Sequence, residues 1–106
     1  DLLTGKFDRT HISSLPAGDW RLRLPAFKEP QLTKNLACVE ALKSIAARYG
    51  RPPAQLAVAW TLHRSGITAA IVGARRPSQI EESAPAGDWT LPEAVMQEIE
   101  AACEVA

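Results

Sequence analysis

Residues 66–73, Gly-Ile-Thr-Ala-Ala-Ile-Val-Gly, form a short apolar run between two glycines, with two isoleucines, a threonine and a valine. β-Branched residues in a run of this length predict a strand, at about 67–73, buried on both faces as in a parallel sheet. No other segment reads as strongly as a strand, and a buried strand needs backbone partners on both sides. This one run therefore limits the fold. Its partners come from another chain, from the Leu2–Leu3 region and its loop, or from a larger sheet of which these residues are one part.

The rest of the periodic sequence is helical. Residues 32–49 carry Leu36, Val39, Leu42, Ile45, Ala46 and Tyr49 at steps of three and four, an amphipathic helix closed by Gly50. A second helix opens at Pro53, runs through Leu56, Ala57, Val58, Ala59, Trp60 and Leu62 with little polar face, and stops before Gly66. Pro77 to about Ala84 reads as a short helix. Thr90 followed by Glu93 predicts a capping box, with Pro92 in the first turn of a last helix to about Glu104. Residues 1–31, with Pro16, Pro25 and Pro30, read as a long loop with room for a helical turn. The pentapeptide Pro-Ala-Gly-Asp-Trp occurs at 16–20 and again at 85–89. The flanks do not match, so the repeat reads as coincidence between two turns. The expectation is one domain over 1–106, mainly α with one or two short strands.

Twelve basic and twelve acidic residues cancel, leaving no global field to draw in nucleic acid or a membrane surface. No run approaches the roughly 18 apolar residues that span a bilayer. Cys38 and Cys103 lack the spacing of a disulfide framework or metal motif and fit reduced thiols, hence a cytoplasmic protein. The sequence opens at Asp1 without a targeting segment, as though cut from something longer. All basic residues lie at or before Arg76, and residues 77–106 hold acids only, an arrangement that predicts a solvated acidic last helix.

Chemistry concentrates at the end of the expected strand. Gly73-Ala74-Arg75-Arg76 leads into a helix at Pro77. A helix N-terminus offers unpaired N–H donors, Arg75 a guanidinium that grips phosphate bidentately or stacks on a purine, and Gly73 close backbone approach. Gln79 and Glu82, one turn apart, can face the same ligand with an amide and a carboxylate. By itself, a pair of arginines before a helix is more often solvated surface.

The order "DWRLRLPAF", "NLACVEALKSIAARYGRPPAQLAVAWTL", "GITAAIVGARRPSQIEES" and "LPEAVMQEIEA" resembles the C-terminal third of an aldo-keto reductase, and "LLTGK" resembles the loop after that family's seventh barrel strand. The resemblance covers nearly the whole chain and implies that the four helices correspond to the last βα units of a (β/α)8 barrel. It also implies an NADP(H) site. Leu3, Thr4, Gly5 and Lys6 match the loop over the pyrophosphate; Gly73, Ala74 and Arg75 match the loop that holds the adenosine 2′-phosphate. Gln79, Glu82 and Ser83 match positions near that phosphate and the adenine. Two positions depart: the family usually has Asn where Ser83 stands, and commonly Gly where Asp1 stands.

The family's catalytic Asp, Tyr, Lys and His lie on its first four strands, which this sequence does not contain. Tyr49 is expected to pack in a core, and His11 and His63 lack the partners of a catalytic imidazole. Trp60 is expected in the core, with Trp20 and Trp89 plugging core edges. The expectation is an NADP(H)-binding part of a reductase, with weak or vestigial affinity and no turnover of its own. The alternatives are a small helical protein that self-associates without a ligand, or a subunit that completes a partner. In each case an open strand favours a homo-oligomer, a dimer above all, with neither nucleic acid nor membrane as partner.

Overall fold

In the computed structural model, residues 2–104 are described. Five α-helices follow one another: α1 (Arg9–Ser13), α2 (Gln31–Arg48), α3 (Pro53–His63), α4 (Pro77–Ser83) and α5 (Glu93–Ala102), with 3-10 turns at Leu2–Thr4, Trp20–Arg23, Pro25–Phe27 and Ala84–Asp88. The architecture is mainly helical, and no strand occurs among the described residues.

The two longest helices follow the sequence pattern closely. α2 buries Leu32, Val39, Leu42, Ile45 and Ala46, the apolar stripe of a 3.6-residue period. It ends in a Schellman motif: Gly50 N–H donates to the Ala47 carbonyl (3.1 Å) and Arg51 N–H to that of Ala46 (3.1 Å). Gly50 has φ +65°, a left-handed conformation that a Cβ would oppose. α3 starts at Pro53, whose missing N–H costs nothing in a first turn. It buries Gln55, Leu56 and Ala59, while Ala57, Val58, Trp60 and Leu62 are half-buried. Leu56, Ala59 and Ala46 are completely enclosed. They join Leu42, Ile45, Ala86, Trp89, Leu91 and the α5 residues Val95, Met96 and Ile99 in one core.

The expected strand did not form. Residues 67–73 run without regular structure, and Ile67, Ile71 and Val72 are exposed, Ile71 at 101%. The physical reason lies in pairing. A strand is stabilised by a ladder, and within the described residues no second extended segment bonds to this one. β-Branched composition alone cannot supply those partners.

Other expectations also needed correction. Residues 2–31, expected as most of a long loop over 1–31, are more ordered than that. The Asp8 carboxylate caps α1 by accepting from His11 N–H (2.7 Å). Asp19 accepts from the backbone N–H (3.0 Å), Nε (2.9 Å) and Nη2 (2.7 Å) of Arg21. Those bonds, side chain first, hold the Asp19 carboxyl down at about 2. Phe7 is buried between His11 (ring centroids 4.2 Å), Phe27 (5.7 Å) and the Arg21 guanidinium (5.0 Å), a small satellite cluster. The Thr90 capping box is absent: α5 begins at Glu93 with Pro92 at the N-cap and no side-chain cap, and ends at Ala102. Tyr49 is 42% exposed, edge-on to Trp89, and Trp20 is 62% exposed. Trp89 is buried. The two Pro-Ala-Gly-Asp-Trp copies thus end in opposite environments, because the second lies over α3 and the first does not.

Cys38 and Cys103, expected as free thiols, are joined in a disulfide with Cα atoms 4.7 Å apart, inside the range a bridge requires. α2 and α5 lie antiparallel, as shown by Lys34–Glu104 (3.9 Å), Cys38–Cys103 and Arg48–Glu98 (2.6 Å) in register along the pair. The bond removes the free-thiol argument for a cytoplasmic location. No helix among the described residues is long and apolar enough to cross a membrane.

Two truncations separate a core helix from an unpaired segment. Leu56→Ala should destabilise the chain by about 2–5 kcal/mol, read as a lower denaturation midpoint. Ile71→Ala should change it by no more than about 0.5 kcal/mol, as at other exposed positions. A core-sized loss at Ile71 would show that residues 67–73 are buried in solution.

Candidate functional site

The loop that precedes α4 takes its shape from a glutamine. Gln79 Oε1 accepts hydrogen bonds from the backbone N–H groups of Arg75 and Arg76, the latter at 3.2 Å. This is the returning half of a capping box, in which the third helical residue reaches back to the N-cap backbone. The Arg76 guanidinium has no acceptor to complete the other half. The Arg75 and Arg76 amides beside the α4 N-terminus are therefore engaged by the side chain of a residue expected to face the same ligand.

The side chains of the loop remain available. Arg75 and Arg76 are exposed, and among the described residues neither guanidinium is paired with a carboxylate. Gly73 has open space where a Cβ would stand. Ala74 and Glu82 are exposed and Ser83 is half-buried. Ser83 instead lines an apolar groove of about 240 Å³ with Val58, Leu62, Ala70, Val72 and Ile80.

The second candidate loop sits against the helices. Gly5, at φ +74°, brings the backbone against α2 and the start of α3, where a Cβ would meet Lys43 Cε at 2.6 Å and Pro53 Cγ at 3.2 Å. Thr4 Oγ1 accepts from Lys6 N–H (3.3 Å). Lys6 is exposed, and Asp1 lies outside the described residues. Leu3 lines a groove of about 380 Å³ over α3 together with Ile67, Ala69, Ala70, Ile71 and Val72. The Leu2–Thr4 turn and the segment leading to Gly73 thus flank one groove, whereas Gln79 and Glu82 belong to α4.

Two polar residues that place these elements escaped the sequence reading. Gln55, the buried polar side chain of α3, donates from Nε2 to the Glu82 carbonyl and ties the end of α4 to α3. A lone amide in an otherwise apolar helix was the available signal. His63, weighed only for catalysis, is bonded at both ring nitrogens: Nε2 accepts from Leu91 N–H (3.1 Å) and Nδ1–H donates to the Ala59 carbonyl (2.7 Å). It joins the end of α3 to the approach to α5. This imidazole is structural.

Comparison with known proteins bears on the same two loops. The family model described as aldo/keto reductase matches residues 2–104. The chain belongs to the aldo/keto reductase family. Aldo-keto reductase YhdN of Bacillus subtilis is 37% identical over 91 residues, 85% of this chain and 27% of that protein. Aldo-keto reductase yakc of Schizosaccharomyces pombe, whose name carries NADP(+), is 32% identical over 102 residues, 96% of this chain and 29% of that protein. A probable voltage-gated potassium channel subunit beta of Arabidopsis thaliana is 36% identical over 91 residues, 82% of this chain and 26% of that protein. The chain thus spans little more than a quarter of the length of these aldo/keto reductase relatives.

The Gln79 cap makes a local expectation. Gln79→Ala should free the Arg75 and Arg76 amides, raise their hydrogen-exchange rates and cost about 0.5–2 kcal/mol, the range of a lost helix cap. Unchanged protection at both amides would show that another acceptor holds them.

Proposed function

We propose that residues 2–104 form the cofactor-binding C-terminal part of an NADP(H)-dependent aldo/keto reductase, an oxidoreductase, and that the helices are the last βα units of its (β/α)8 barrel. The observation that carries this reading is the family match over 2–104, joined to two exposed arginines just before α4 that are unpaired among the described residues. The residues present fit a phosphate in one respect and not in another. The guanidiniums of Arg75 and Arg76 are available for bidentate contact, while the backbone donors beside them are held by Gln79. The 2′-phosphate would therefore be held by arginine side chains.

NADP(H), when bound, supplies the hydride of the reaction. The residues of this chain bind and orient it. Arg75 would neutralise the 2′-phosphate, Gly73 and Ala74 would leave room for the ribose, and Glu82 would face the adenine. Leu3, Thr4, Gly5 and Lys6 would lie along the pyrophosphate. Proton transfer to a carbonyl oxygen requires a positioned acid. Tyr49 packs on Trp89, His63 is committed at both nitrogens and His11 stacks on Phe7. On this reading the chain binds cofactor weakly and does not turn over carbonyl substrates alone. A cytoplasmic setting would suit a soluble NADP(H) pool.

A second reading rests on a different observation. Ile67, Ile71 and Val72 are exposed, and among the described residues no hydrogen bond holds the backbone N–H groups between Thr68 and Ala74. An apolar segment whose backbone donors and acceptors are open among the described residues is a surface for pairing. A two-fold homodimer through residues 67–73 is the simplest closed arrangement. A concentration-independent monomer mass in sedimentation at tens of micromolar would exclude it.

Calorimetry tests the first reading. NADP(H) should bind more tightly than NAD(H), and Arg75→Ala should remove that preference, a loss of about 1.5–3 kcal/mol for a charge-assisted contact. Equal affinities of the unmutated chain for the two cofactors would overturn it. Carbonyl reduction that scales with chain concentration would overturn the absence of turnover.

A further inference from the structure

The Cys38–Cys103 bond occupies an unusual place for a structural staple. It lies at the margin of the core, with both cysteines half-buried against it. Between Ile99 and Glu104, Glu100 is tied to the end of α3 by its ion pair with Arg64 (2.8 Å), while the ties to α2 beyond it are weak. Ala101 and Ala102 are exposed, Glu104 adopts a left-handed φ of 53°, and its ion pair with Lys34 is exposed and long at 3.9 Å. The rest of the α2–α5 contact does not need the bond, because Val95, Met96 and Ile99 sit in the core and Arg48 pairs with Glu98.

The bond also borders a half-open apolar cavity of about 170 Å³ that it shares with Leu3, Leu42, Trp60 and Ile99. That opening gives a thiolate access to the sulfurs. Leu3 carries any change there into the Leu2–Thr4 turn, which packs on α2 and α3. Trp60, on the cavity wall, has a buried indole N–H with no acceptor among the described residues.

We propose that Cys38–Cys103 is a redox latch: its reduction by a dithiol frees the last turn of α5 and loosens the Leu2–Lys6 loop across the shared cavity, while the core stays folded. One thiolate of the dithiol attacks a cysteine sulfur and forms a mixed disulfide; the Cys38–Cys103 bond breaks and the other cysteine leaves as a thiolate that takes up a proton. The second thiol of the reductant, deprotonated, then attacks the mixed disulfide and releases the first cysteine, likewise protonated. The dithiol loses two electrons and becomes a disulfide; the protein gains two thiols. Reversible bonds of this kind are the ones that persist as sensors in reducing compartments.

The test uses the whole chain, oxidised in air and then equilibrated with dithiothreitol buffers of increasing reducing strength under native conditions. Released thiols are counted by maleimide mass shift, helix content is followed by far-ultraviolet circular dichroism, and local opening by hydrogen exchange. The latch requires reversible release of two thiols with the helix signal retained, and faster exchange confined to residues 99–104 and 2–6. Indole emission should rise on reduction, since a disulfide quenches a neighbouring indole, and Trp60→Phe should remove that rise. The Cys38→Ser/Cys103→Ser double variant should match the reduced chain and ignore dithiothreitol. Release only in denaturant, release with loss of helix, a uniform rise in exchange, or two free thiols in the air-oxidised chain would each overturn the proposal.

Discussion

The arrangement of the whole chain depends on the seal that α3 makes against its neighbours. Leu56 and Ala59 present a fully enclosed face, and Ala46 on α2 is as completely buried, so small side chains let the two helices approach closely. Close packing gives each methylene there a large share of the stability. Trp89, delivered by the Ala84–Asp88 turn, and Val95, Met96 and Ile99 of α5 complete the same core. α3 is apolar on most of its circumference, and that is unusual for a helix at the surface of a small domain. Its remaining faces line the grooves shared with Leu3 and with residues 67–72.

Two polar side chains convert that packing into position. Gln55 is buried within the seal, and the Glu82 carbonyl offsets the cost by accepting a hydrogen bond from its Nε2–H. Its bond sets where α4 ends, as His63 sets where the chain turns toward α5. α4 is thus tied to α3 at its end, and the arginine loop before it is closed by Gln79. The amides of Arg75 and Arg76 are satisfied by Gln79, and the loop's charge is displayed outward on exposed side chains. The two amides thus shape the loop, while the guanidiniums of the same residues stay exposed.

Much of this was legible in the sequence. α2 and α3 follow from apolar residues at steps of three and four, Gly50 from the left-handed turn it must make, and Pro53 from its tolerance in a first turn. The arginine loop was visible as a composition, and its place before a helix came from Pro77. What was misread shares a cause. Thr90 fits a capping pattern, yet Pro92 takes the N-cap and the helix starts one residue beyond it. Tyr49 continues the apolar period of α2, yet it falls at the C-cap, where the helix has already left the core. Gln79 reads as a ligand contact in the sequence because the loop that brings the Arg75 and Arg76 amides, four and three residues back, onto its side chain has no local pattern of its own.

The sequence by itself determined the helices, because their hydrogen bonds close within four residues and their apolar faces repeat with the same period. It also determined the family, through loops whose residue order is specific. Only the tertiary structure decided whether residues 67–73 form a strand, since a strand exists by virtue of a neighbour and the described residues offer none. Tertiary structure likewise decided that two cysteines 65 residues apart meet, because the antiparallel docking of α5 on α2 brings them together. It gave the two identical pentapeptides opposite fates, burying Trp89 over α3 and leaving Trp20 in solvent. Local bonding can be read along a chain; pairing and burial depend on what else arrives at the same place.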